Sequence, residues 1–152
     1  MNQFDGNKYR QDVKINRSDL EEELATNPSN LAYYIEQYAL WSGEADRLKI
    51  LRDNRGSEIY IDLKNSGKAT DGFITATQKL DDKYKEYEEL LRLAREQVAL
   101  YDGAVDALSK KQFSLGTLSA NNRAEFEATT SAIPSRSTAE EKAERRSRFA
   151  GV

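Results

Sequence analysis

Residues 84–108, YKEYEELLRLAREQVALYDGAVDAL, decide the fold. Tyr84, Tyr87, Leu91, Ala94, Val98, Tyr101, Val105 and Leu108 recur at spacings of 3,4,3,4,3,4,3. That period places them on one stripe of an α-helix. The opposite face carries Lys85, Glu89, Arg92 and Glu96, opposite charges at neighbouring helical positions. A stripe this regular must be covered, so it predicts an antiparallel hairpin with another long helix, or a coiled-coil assembly. The pattern loosens after Gly116, with Leu115 and Leu118 as its last members.

The covering stripe lies upstream. Asn27-Pro28 reads as a helix start, because Asn is a good N-cap and Pro at the first helical position loses no needed hydrogen bond. The helix is expected to run to Ser66-Gly67, roughly 60 Å at about 1.5 Å per residue. Leu31, Tyr34, Tyr38, Trp41, Ala45 and Leu48 keep the 3,4 spacing, and Ile59 and Leu63 resume it. Between them the stripe turns basic in RLKILRDNR, residues 47–55, with Arg52 at its centre. Gly56 falls on the same face and reads as a bend or a close helix approach.

The remaining segments are shorter. Residues 1–17 are polar and without a period, and read as a flexible arm. Ser18-Asp19-Leu20-Glu21 matches a capping box for a short helix over 19–26 that ends at Asn27-Pro28. Residues 67–82 form a connector in which Thr70-Asp71 caps a turn carrying Phe73, Ile74 and Ala76, with a break at Leu80-Asp81-Asp82. Residues 128–152 read as a tail with a net charge of +2. The expected organisation is an arm (1–17), a helical domain (18–127) and a flexible tail (128–152).

Composition narrows the function. The chain has 152 residues, 32% charged and 38% hydrophobic, with two prolines. That balance suits long helices burying one stripe each, often completed by a partner copy, rather than a thick core. There is no cysteine and no histidine. Disulfides, thiolate chemistry, most zinc sites and Ser/His or Cys/His catalysis are thereby excluded. No apolar run approaches the ~20 residues of a membrane span, and MNQFDGNKYR has no apolar signal core. A cytosolic protein is expected.

No phosphate-binding glycine loop, nucleophile elbow or metal-ligand spacing occurs. The acidic pairs Asp81-Asp82 and Asp102 with Asp106 read as solvated helix faces, so no catalysis and no cofactor are expected. The basic cluster is the functional lead. Arg47, Lys49, Arg52 and Arg55, with only Asp53 against them, give +3 in nine residues, and Lys64 and Lys68 extend the cluster. Several accessible cations along one groove suit a nucleic-acid backbone. The overall charge of −3 means that such contacts must be local, or multiplied by several copies. The structural reading stands beside it: the Arg52 stem packs along the bundle, or Arg52 pairs with an acid such as Asp102 or Asp106. Trp41, Tyr34 and Tyr38 lie on the apolar stripe, where core packing is favoured over base stacking.

Three segments carry a resemblance: DLEEELATNPSNLAYYIEQYALWSGEADRLKI (19–50), SGKATDGFITA (66–76) and YDGAVDALSKKQFSLGTLSANNR (101–123). In order and composition, over roughly residues 18–127, the chain resembles the UvsY-like family of bacteriophage recombination mediators. The resemblance implies an all-α subunit assembling into a ring oligomer. It also implies binding of single-stranded DNA without sequence preference, and loading of a RecA-like recombinase onto DNA covered by single-strand-binding protein. A host-cell cytoplasmic location and the absence of catalysis follow from the same likeness. The family's short basic motif near the end of the long helix falls at IYIDL, residues 59–63, which holds no Lys or Arg. The candidate DNA contacts are therefore Arg47, Lys49, Arg52, Arg55, Lys64 and Lys68. The alternatives are a phage scaffolding or connector protein without DNA affinity, and a coiled-coil adaptor docking a partner protein.

Overall fold

The computed structural model describes residues 1–67 and 70–132, with side chains to Thr130. Four helices follow in order: α1 (Gly6–Val13), α2 (Leu20–Asn65), α3 (Asp71–Leu80) and α4 (Asp82–Ala132). No strand occurs among the described residues. Two compact units are distinguished, one spanning Met1–Gln112 and one beginning at Phe113.

In the first unit, α2 and the first part of α4 lie antiparallel along the two predicted stripes. Ala45, Leu48, Leu91 and Ala94 form one buried cluster, flanked by Trp41 and Val98. Tyr34, Tyr101, Ala104 and Leu108 form a second. Each fully buried leucine or tyrosine contributes about 2 kcal/mol of apolar transfer. Gly56 is the predicted close approach: a Cβ there would lie 3.3 Å from the Tyr84 ring. Gln78 of α3 uses the same gap to donate to the Gly56 carbonyl at 2.8 Å.

The expected connector holds. Gly67 takes φ 69°, in the left-handed region that favours glycine, just past the end of α2. The Thr70 hydroxyl accepts from the Phe73 amide and caps α3. Asp81 breaks the chain between α3 and α4, and its carboxylate accepts the Tyr84 amide at 2.8 Å.

Three expectations are corrected. First, residues 1–17 are not a free arm. Asp5 caps α1 by accepting from the Asn7 and Lys8 amides. Phe4, Tyr9 and Val13 pack on the cluster around Tyr34 and Tyr101. The Asn2 carbonyl accepts from Trp41 Nε1 at 2.8 Å and from the Tyr101 hydroxyl at 3.1 Å. Lys111 is 6% exposed and uses its ammonium on the Asp12 and Lys14 carbonyls, both at 2.7 Å, and on Glu23 at 2.5 Å. Three donors meet three acceptors, which is what makes burying this charge tolerable.

Second, the short helix over 19–26 and the long helix are one. α2 runs unbroken through Pro28, although proline has no amide to give the Leu24 carbonyl. Asn27 is buried here, with Nδ2 at 3.5 Å from the Leu108 carbonyl. The N-cap is Asp19, accepting from the Glu22 amide, rather than Ser18, which instead donates to Asn16.

Third, the helical pattern does not stop near 127. In the second unit α4 continues to Ala132. Leu115 is buried, whereas every side chain from Ala120 to Thr130 is exposed, and Phe126 stands at 71%. The predicted tail from residue 133 lies outside the described residues.

Candidate nucleic-acid interface

The helix that carries the cations also separates them. At about 100° per residue, Lys49 and Arg55 lie about 60° to either side of Arg52, and Arg47 about 140° away. The four therefore fan over more than half of the α2 circumference and cannot share one strand contact. Lys64 stands at the far end of α2, and Lys68 lies outside the described residues.

Most of these charges have carboxylate partners. Arg47 grips Glu44 through Nε at 2.8 Å and Nη2 at 2.6 Å. That hydrogen bond holds the Glu44 carboxyl below the usual carboxylate range, against burial. Arg52 lies in the seam with its side chain 22% exposed, and both Nε and Nη2 reach Asp53 Oδ1, at 3.0 and 2.7 Å. Its partner is thus its chain neighbour, not Asp102 or Asp106. Asp106 instead accepts from Lys110.

Arg55 is the most committed of the set. It forms a two-point bridge to Asp81, Nε–Oδ1 3.0 Å and Nη2–Oδ2 2.5 Å, and its Nη1 reaches Glu58 at 3.0 Å. The Arg55 hydrogen bond, helped by the Tyr84 amide, pulls the Asp81 carboxyl down to about 2. Asp81 thereby caps α4 and ties it to α2, so Arg55 positions the helix pair. Lys64 meets Asp71 at 2.9 Å, and its ammonium lies 5.5 Å from the Tyr60 ring centre. Lys49 is exposed and makes no ion pair among the described residues.

An open groove of about 670 Å³ runs beside Arg52. Leu91 and Ala99 form its apolar part, and Glu88, Glu89, Arg92, Arg95 and Glu96 of α4 complete it. Arg92 bridges Glu89 at 2.5 Å and also pairs with Glu96. Arg95 is exposed and makes no ion pair among the described residues. Sequence reasoning passed over Arg92 and Arg95 because they sit in a helix read as seam plus mixed-charge face. The antiparallel pairing brings them to Arg52. The aromatic residues take the packing role. Tyr34 is 2% exposed, and Trp41 is bonded to Asn2.

This geometry defines a class: an all-α protein whose two long antiparallel helices are joined through a short third helix. A crystal structure of the bacteriophage T4 recombination mediator protein UvsY has this fold, with a TM-score of 0.66. The likeness covers 78% of this chain and 94% of that chain at 15% sequence identity. The expected UvsY-like fold is therefore present. No family model matches the chain, and no curated protein matches it. No helix among the described residues is long and apolar enough to cross a membrane.

Proposed function

We propose that this protein is a recombination mediator that acts by binding, without bond chemistry. It coats single-stranded DNA without sequence preference and promotes loading of a RecA-like recombinase onto DNA covered by single-strand-binding protein. It works as a homo-oligomer in the host-cell cytoplasm. The observation that carries this reading is the fold shared with the T4 recombination mediator over most of both chains.

The ion pairs of α2 fit such a role. Pairs whose cation is exposed, such as Arg47–Glu44 and Lys64–Asp71, hold that cation in place at little energetic gain. A phosphate can displace the carboxylate, and release of counterions from the strand then favours binding. Arg47, Lys49, Arg52, Arg55, Lys64 and Lys68 remain the candidate contacts. Repetition over several copies multiplies a local excess that one subunit, at −3 overall, cannot supply alone.

The test is titration of a labelled single-stranded oligonucleotide over a range of salt. Affinity that falls steeply as salt rises is expected. Absence of binding at low salt overturns the proposal.

A further inference from the structure

Resting on the mediator reading, we infer that the phosphate contacts lie across two helices, with Lys49 and Arg52 on α2 and Arg95 on α4, and not along the α2 cluster alone. Arg52 and Arg95 line one groove. Lys49 precedes Arg52 by three residues, so the two are surface neighbours on the same helix. Arg47 points away from this side by the helical period, and Arg55 is held by Asp81 and Glu58. Neither therefore faces this groove.

Three features suit the groove to a sugar–phosphate backbone. It is an open groove rather than an enclosed cavity, as a strand laid against it requires. Lys49 and Arg95 have no carboxylate to exchange among the described residues, so a phosphate meets them without first breaking a pair. Among the described residues, Arg52 forms its ion pair with an exposed neighbour, Asp53, while the nearby Glu88 carboxylate adds a weaker attraction. The groove also carries its own counterweight. Glu89 and Glu96 are engaged by Arg92, but Glu88 makes no ion pair among the described residues. It repels a phosphate and limits the affinity of a single subunit.

The inference makes predictions of opposite sign. Arg95→Gln combined with Lys49→Gln lowers affinity for a labelled thymidine oligonucleotide roughly tenfold at low salt. It also flattens the log–log salt slope by about 0.7 for each phosphate that is no longer neutralised. Glu88→Gln tightens binding. Arg47→Gln combined with Lys64→Gln lowers affinity and flattens the slope less than the Arg95/Lys49 pair does. These side chains are exposed, so helicity and melting temperature serve as the folding control.

If the parent protein binds and the Arg47/Lys64 pair is the sensitive one, with Arg95/Lys49 silent, the groove assignment is wrong and the mediator reading survives. If the parent protein does not bind at low salt, the mediator reading itself is wrong and the groove assignment falls with it.

Discussion

The Lys111 ammonium on α4 lies 2.5 Å from the Glu23 carboxylate on α2. Burial pushes the Glu23 carboxyl up, but the Lys111 hydrogen bond and the Asn16 amide outweigh it, and the net effect is a lowered pKa. The same ammonium holds the carbonyls of Asp12 and Lys14 at the C-terminal end of α1. One buried charge thus joins three segments of the chain.

Lys111→Met removes that junction and leaves Glu23 without its cation. A loss of about 3 kcal/mol is expected, the usual result of breaking one half of a buried pair. Hydrogen exchange should show the amides of residues 1–17 losing protection. Trp41 emission should shift to the red as Asn2 leaves its indole. A stability change no greater than that of Lys85→Met, at an exposed site, contradicts this role.

The Arg55–Asp81 bridge gives the fold an acid-sensitive joint. The folded pKa of Asp81, about 2, lies below its ordinary value of 3.8. A depressed carboxylate stabilises the fold above the unfolded pKa. That contribution is lost as pH falls from about 4 through about 2. Acid titration of stability should therefore steepen in this window, and Asp81→Asn should remove the steepening. An identical acid profile in the variant argues against the bridge.

Two glycines of α2 should respond in opposite ways. Gly43 has nothing within 4 Å of a Cβ position, so Gly43→Ala gains helix propensity and stabilises by about 1 kcal/mol. Gly56 faces Tyr84 and Gln78 at 3.3 and 3.4 Å. Gly56→Val overpacks that contact and should cost about 2 kcal/mol. Thermal melts of the two variants displaced in the same direction would contradict the close approach.

Arg52→Leu separates packing from binding. The side chain already lies partly buried in the seam beside Leu91. Leucine there extends the apolar stripe, so stability should stay within about 1 kcal/mol of the parent or rise. Single-stranded DNA affinity should fall. A variant that melts early yet binds normally would assign Arg52 to the fold alone.

What could be read from the sequence was periodic or local. The stripe from Tyr84 to Leu108, the Gly56 contact, the Thr70 cap and the break at Asp81 each leave a signature within a few residues. The packed N-terminal segment does not. Phe4, Tyr9 and Val13 are sparse in a polar stretch, and the acceptors for Lys111 are backbone carbonyls nearly a hundred positions away in sequence. Asn27-Pro28 misled for another reason. Its local chemistry is that of a helix start, but the Asn27 side chain and its neighbours on α2 are held by packing, which overrides the lost amide bond. The candidate site was half legible. The α2 cations were visible as a run, but their partners, and the approach of Arg95, depend on which helix lies opposite.

The pairing of α2 with α4 also constrains how the chain can vary in length. Trp41 lies level with Val98, Ala45 and Leu48 with Ala94 and Leu91, and Gly56 with Tyr84. Asn27 reaches Leu108 at the other end. An insertion within either helix moves every later partner out of step, unless the opposite helix gains the same number of residues at the same level. Related chains of different length should therefore differ by matched whole heptads in both helices, or in α3 and its flanking turns, where residues can be added without disturbing this ladder.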